Sequence, residues 1–459
     1  MTESTSRKPP DGLSENSLGS RMLRFAQVGT TMAGQAARIA GRRLIGQGGF
    51  SLAEATDLKE ALGGLKGPLM KVAQMMATIP DALPAEYAAE LAQLQSEAPP
   101  MGKPFVRRRM AAELGPDWQA RFAEFPLDAH NAASLGQVHK ARLPDGRVVA
   151  CKLQYPQIEA AVEADLQQLR LILSIYRRYD RAIDTTKIYE EISDRLREEL
   201  DYDREAGHIA LYRAILADEA HVHVPAVVTE LSTRRLLTME WLDGRKLLSL
   251  KDADLETRNR VALNMFRAWY VPFYTAGVIH GDPHMGNYTV RDDLDINLLD
   301  FGCVRIFPPN FVKGVIDLYW ALVRGDRELA IEAYKIWGFQ DLRDDVVDVL
   351  NEWAGFLYAP LMEDRPRLIQ DSNSGAAGRE VAGRVAQRLR EVGGVQPPRE
   401  FVFMDRAAIG LGSVFMHLHA EINWHRLFRE LIEGFDVAKV EAKQRAALSA
   451  AGLDGAPAR

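Results

Sequence analysis

The stretch Val278 to Arg305 reads V-I-H-G-D-P-H-M-G-N-Y-T-V-R-D-D-L-D-I-N-L-L-D-F-G-C-V-R, and its interpretation decides the fold. Asp282 is followed five residues later by Asn287, and Asp300 opens an Asp-Phe-Gly triplet behind the apolar run Ile296 to Leu299. One short hairpin thus delivers two carboxylates and an amide. Phosphoryl transfer asks for these residue types: oxygen ligands to hold Mg²⁺ against a triphosphate, and a carboxylate to orient the attacking hydroxyl or water. On this reading Asn287 and Asp300 are the metal ligands and Asp282 is the base or orienter. The bland alternative is a polar hairpin rich in turn residues, with Gly281, Pro283, Gly286 and Asp292-Asp293. The triplet alone would be weak evidence against it; Asp, Asn and Asp at these intervals, behind a strand-like run, favour the phosphoryl-transfer reading.

Upstream, Val138 to Leu143 and Arg147 to Leu153 read as strands flanking a Pro144-Asp145-Gly146 hairpin turn. A small-residue loop, Ala132 to Gly136, precedes them, so Ala132, Ala133 and Ser134 would cover phosphates. The second strand ends in Val-Ala-Cys-Lys, which puts Lys152 where a kinase lysine grips the α- and β-phosphates. Such a lysine needs an acidic partner on a helix. A long helix expected over about Thr185 to Leu216 offers Asp194, Glu198, Asp201 and Glu205 along one face, and Glu205 is the chosen partner. The long separation between lysine and acid implies an inserted helix, Ala160 to Arg178. Val227 to Leu231 and Leu236 to Trp241 are expected as two further strands. They run into a hinge where the backbone of Glu240, Trp241 and Leu242 would meet an adenine. A helix over Glu256 to Ala276 leads into the opening stretch, and another is expected over Phe105 to Phe122. After Gly302 only Cys303 to Pro309 precede the next helix, with no Ala-Pro-Glu motif, which leaves no room for the long segment that positions peptide substrates. The remainder, to Ala451, reads as helical.

With 459 residues the chain is long enough for two or three structural units. A net charge of −6 argues against a nucleic-acid-binding surface. Two cysteines, Cys151 and Cys303, are too few for a disulfide framework and point to a reducing compartment. Met1 to Arg21 is polar, which fits a disordered tail and no secretory signal. The longest apolar stretch, Val261 to Ile279, is broken by Asn264, Arg267 and Pro272, so no transmembrane helix is expected. Arg21 to Leu44 has the periodicity of an amphipathic helix with a basic side, which could lie on an anionic membrane; packing on its own domain is the plainer reading. A second helical block, Ala53 to Ser96, sets Lys71 and Gln74 one turn apart on one face, within reach of a phosphate or carboxylate. Periodicity alone fits a surface pair beside a core stripe of Leu69, Val72, Met76 and Ile79 better.

Lys71-Val72-Ala73-Gln74, Ala132-Ala133-Ser134, Lys152, Glu199-Leu200-Asp201 with Glu205, Asp282 to Asn287 and Asp300-Phe301-Gly302 occur in this order, and through them the chain resembles the AarF/UbiB atypical kinase family. The resemblance implies an α+β, bilobal protein-kinase-like fold with an N-terminal helical extension and a helical C-lobe. Its expected parts are a tail at 1–20, the extension at 21–104, an N-lobe with a helical insertion at 105–241, a C-lobe at 242–451 and a frayed end at 452–459. It further implies use of ATP and Mg²⁺ in support of ubiquinone biosynthesis or lipid homeostasis. Quinone-biosynthesis proteins or an isoprenoid or lipid precursor would be partners. The location implied is cytoplasmic, with peripheral contact at the inner membrane. By motif, Lys71 and Gln74 face the nucleotide, Lys152 and Glu205 form the ion pair, and Glu199 and Asp201 join Asn287 and Asp300 near the metal. The chain departs from the family at Ala73, where a glycine is usual, at Asn131, which opens a loop usually all alanine, and at Met285, where a proline is usual. Two alternatives stay open. One is a small-molecule phosphotransferase of the aminoglycoside or choline kinase type; the other is a nucleotide-binding pseudokinase scaffold.

Overall fold

Alternation along Val148–Gln154 sets the first sheet. Val149, Cys151 and Leu153 join one buried cluster and Ala150 joins the other, so the two-residue period turns Lys152 to the Ala150 side. The computed structural model describes residues 102–133, 135–179, 185–370, 376–392 and 398–453. Lys71, Gln74, Ser134 and the helices expected over 21–44 and 53–96 lie outside the described residues. Contacts divide the chain into two compact units, Met1–Ala98 with Ala160–Ser193, and Pro99–Glu159 with Asp194–Arg459.

The strands are β1 (Asn131–Ala133), β2 (Gly136–Arg142), β3 (Val148–Gln154), β4 (Val222–His223), β5 (Leu236–Glu240), β6 (Arg245–Lys246), β7 (Val278–His280), β8 (Tyr288–Val290), β9 (Ile296–Leu298) and β10 (Val304–Ile306). The helices are α1 (Lys103–Leu114), α2 (Ile158–Tyr179), α3 (Thr185–Glu198), α4 (Tyr202–Ile215), α5 (Leu255–Ala276), α6 (Pro309–Arg324), α7 (Arg327–Ile336), α8 (Asp344–Met362), α9 (Ala376–Glu391), α10 (Arg399–Leu418), α11 (Trp424–Ile432) and α12 (Val437–Ala450). One sheet runs β1-β2-β3-β5, a second β4-β9-β8-β6, and β7 pairs with β10 alone. The first is antiparallel throughout, with Lys152 opposite Val138 on one side and Leu237 on the other. Strands and helices thus make the α+β arrangement expected of a kinase-like chain.

Four expectations are corrected. The first half of the small-residue loop before the hairpin is a strand: Ala132 and Ala133 lie in β1, paired with Gln137 and Gly136. A Cβ on Gly136 would sit 2.1 Å from Leu153 O, so a bare backbone is what lets this turn press onto β3. The helix expected over Phe105 to Phe122 stops at Leu114. Gly115 has φ 90° and Pro116 disfavours a helical residue before it; a short 3₁₀ turn, Trp118–Arg121, follows. The long helix expected over Thr185 to Leu216 is two helices. Asp201 caps the second by accepting the Arg204 N–H at 3.1 Å, and the Tyr202 N–H goes instead to Arg234 O at 3.1 Å. The four acids therefore do not share one helical face. Val227 to Leu231 is no strand; Val227 makes a single bridge to Met239 and Thr229–Leu231 winds into a 3₁₀ turn.

Helix α5 begins where Asp254 accepts the Thr257 N–H at 2.8 Å, and its buried face includes Met265, Trp269 and Phe273. These pack in a large core with the strands that carry the opening stretch and with helices α6 to α8. Gln444 of α12 donates to Ala276 O at 2.7 Å and Phe307 O at 2.9 Å, fastening the last helix to the end of α5 and the exit of β10. Among the described residues no helix is long and apolar enough to cross a membrane.

Candidate active site

Lys152, turned out of β3, places Nζ 2.8 and 2.9 Å from the two Glu205 oxygens and 3.0 Å from Asp300 Oδ2. Glu205 stands in the first turn of α4, so the Asp201 cap sets its height relative to β3. Its carboxylate also accepts the Phe301 N–H at 3.4 Å. Burial opposes the Lys152 charge, but the carboxylates of Asp300 and Glu205 outweigh it and hold the ammonium well above its ordinary range. Burial raises the Glu205 carboxyl more than Lys152 lowers it, with Asp300 adding to the rise.

The floor beneath is a backbone lattice around His280, fully buried at the end of β7. Its Nδ1 accepts the Asp282 N–H at 3.2 Å, so Nε2 carries the proton and donates to Asp300 O at 2.5 Å. One imidazole therefore sets the spacing of the two aspartates. Asn287 Nδ2 donates to Asp282 O at 3.1 Å, and Leu299 N–H donates to Asn287 O at 2.8 Å. Asp300 Oδ1 accepts the Gly302 N–H at 3.1 Å. Asp282, Asn287, Asp300, Lys152 and Glu205 are thus joined in one hydrogen-bonded set.

The other candidates fall nearby or apart. A Cβ on Gly302 would lie 3.4 Å from Asp300 Oδ1 and 3.9 Å from Glu199 Cγ, which puts Glu199 beside the triplet. Asp201 uses a side-chain oxygen as the helix cap. Among the described residues no three His, Cys, Asp or Glu side chains gather as a metal site. The oxygen donors of Asn287 and Asp300, the latter's side chain 37% exposed, suit a hard cation that keeps several waters. At the hinge, the Glu240 N–H bonds Ala226 O at 2.8 Å and the Trp241 N–H bonds Val148 O at 3.0 Å. The Trp241 ring lies under the Lys140 ammonium at 4.4 Å and edge-on to His130 at 4.8 Å; Leu242 is half-buried. Ala132 and Ala133 sit on β1, at the edge of the sheet that carries Lys152.

Sequence reasoning missed two supports. His208 of α4 bonds Phe301 O through Nδ1 at 2.9 Å, and burial pushes it down to about 4 against that bond, so the ring is a neutral donor at pH 7. Glu198 bridges Arg204 at 2.6 Å and the buried Arg305 at 3.0 Å, clamping the α3–α4 junction to β10. Burial opposes the Glu198 charge, but Arg305 and Arg204 hold the carboxyl below its usual range. Glu198 had been visible only as one member of an acidic pattern. Nothing in the sequence pairs it with a residue in another element.

Fold and site define a protein-kinase-like class. Residues 93–334, slightly more than half of the chain, match the ABC1 atypical kinase-like domain, and the chain belongs to that family. It is 28% identical over 375 residues to "Atypical kinase COQ8, mitochondrial" of Saccharomyces cerevisiae, covering 80% of this chain and 74% of that protein. It is 31% identical over 285 residues to "Protein ACTIVITY OF BC1 COMPLEX KINASE 8, chloroplastic" of Arabidopsis thaliana, covering 60% of this chain but only 37% of that protein. A Mycobacterium tuberculosis protein solved in complex with erythromycin superposes with a TM-score of 0.61 at 25% identity, over 83% of this chain and 96% of that one.

Proposed function

We propose that this protein is an ATP-binding, Mg²⁺-dependent atypical kinase or ATPase that supports ubiquinone biosynthesis or lipid homeostasis. The observation that carries the reading is the single lysine, Lys152, held at once by the α4 carboxylate of Glu205 and by Asp300 of the Asp-Phe-Gly triplet. When bound, Mg²⁺ neutralises the triphosphate so that its terminal phosphoryl group can pass to a nucleophile. Glu205 orients Lys152 toward the α- and β-phosphates. Asn287 and Asp300 would hold the metal, with Glu199 beside them. His280 keeps Asp282 at a set distance from Asp300, and Asp282 orients the nucleophile. The backbone at Glu240 to Leu242 would meet the adenine, while Ala132 to Ser134 would lie over the phosphates and Lys71 and Gln74 would face them. With β10 ending at Ile306 and α6 starting at Pro309, the nucleophile is water or a small hydroxyl rather than a peptide side chain.

Phosphate release from ATP, measured with and without anionic liposomes and a quinone-precursor phenol, tests this reading. Stimulated release without a phosphorylated product would identify an ATPase, and Asp282→Asn is expected to abolish it. A phosphorylated small molecule would move the assignment to a small-molecule phosphotransferase. Absence of release, together with an unchanged melting curve at millimolar ATP and Mg²⁺, would overturn it.

A further inference from the structure

Asn297, at the centre of β9, is fully buried, and strand alternation turns it to the face opposite the core residues Ile296 and Leu298. Its Nδ2 donates to Asp243 O at 2.9 Å and to Thr289 Oγ1 at 3.0 Å. Its Oδ1 is buried with no hydrogen-bond partner among the described residues. The carbonyl of Asp243 dictates this orientation, because the flipped amide would set two oxygens against each other. The joint is tight. A Cβ on Gly244 would lie 2.5 Å from Thr289 Oγ1 and 2.9 Å from Asn297 Nδ2.

What the joint connects gives it meaning. Asp243 follows the hinge and is tied to it, accepting Trp241 Nε1–H at 2.7 Å and Lys140 Nζ at 3.2 Å. Thr289 pairs with Asn297 and lies two residues after Asn287; Asn297 lies three residues before Asp300. Arg245 and Lys246, just past the hinge, pair with Val290 and Thr289. A single amide thus joins the segment leaving the hinge to β8, which Asn287 immediately precedes, and to β9, which leads into Asp300. We propose that Asn297 is a positioning residue that sets the distance from the adenine hinge to Asn287 and Asp300, so that a nucleotide gripped at the hinge presents its phosphates to the metal ligands in register. This rests on the ATP and Mg²⁺ reading of the site.

Loosening the joint should leave the grip on the adenine intact and weaken the metal-dependent part of binding. Nucleotide affinity is read from the melting-temperature shift of the full chain, titrating ATP in chelator and then Mg²⁺ at saturating ATP. In Asn297→Leu, and independently in Gly244→Ala, which presses on the same joint and keeps the amide, the Mg²⁺ half-saturation is expected to rise about tenfold, the lower end of the loss when a support behind metal ligands is removed. ATP affinity in chelator should stay within about twofold of the parent. Thr289→Ser keeps the acceptor hydroxyl and should behave as the parent. Lower stability in Asn297→Leu and Gly244→Ala with an unchanged Mg²⁺ half-saturation would reduce Asn297 to a structural amide and overturn the proposal alone. A parent protein that shows no ATP-dependent shift would overturn the kinase reading and this inference together.

Discussion

Lys152 meets two carboxylates that differ in burial, Glu205 at 3% and Asp300 at 37% side-chain exposure. Their removal should therefore cost differently from removal of the lysine. Lys152→Met leaves two acids facing each other with one deeply buried, a loss on the order of 3–5 kcal/mol for a broken buried pair. Glu205→Gln leaves Lys152 its contact with Asp300 and should cost clearly less; urea unfolding of the two variants checks the order. Asp300→Asn should fold and lose the melting shift given by ATP with Mg²⁺. His208 brings pH into the same set. Its folded value of about 4 lies below the ordinary 6.5, so between these values the unfolded chain binds the proton that the folded chain refuses. Its stabilisation is complete above pH 6.5 and is lost as pH falls toward 4, by about 1–2 kcal/mol at pH 5. His208→Gln keeps a donor for Phe301 O and should remove that part of the acid destabilisation. An equal drop between pH 7 and 5 in parent and variant would refute it.

At the scale of elements, the α3–α4 break decides where Glu205 stands. Asp201 caps α4, and substitution separates that role from the metal contact expected of it by motif. Asp201→Ala should cost about 1 kcal/mol through the lost cap, whereas Asp201→Ser keeps a cap oxygen and removes the charge. If the Ser variant retains the parent's melting temperature and its Mg²⁺-dependent shift, the aspartate acts as a cap; a normal melting temperature with a lost shift assigns it to the metal. The break also shows why periodicity misread this region. Asp194, Glu198, Asp201 and Glu205 keep a helical four-three-four spacing straight across the join, and the capture of the Arg204 N–H by the Asp201 side chain marks where the second helix begins. At Ala132 and Ala133 the error has another source: small residues carry no strand signal of their own, and their extended form comes from pairing with β2.

For the whole molecule, the two-residue passage from β10 to α6 leaves no activation segment, so incubation with ATP and a generic peptide substrate should yield phosphate without phosphopeptide. Val278 to Arg305 by itself pointed to the kinase-like class and proposed Asp282, Asn287 and Asp300 as site residues, because metal and phosphate chemistry restricts both residue types and spacing within a short hairpin. Lys152 was legible too, from the end of a strand whose alternation fixes which way it points. Only the tertiary structure decided that Lys152 is shared between Glu205 and Asp300, that His280 spaces the two aspartates, that Glu198 is held between two arginines, and that Asn297 ties Asp243 to β8 and β9. These are contacts between elements far apart in the chain. Local periodicity reports which face of an element is buried, whereas the partner met there depends on how all the elements pack.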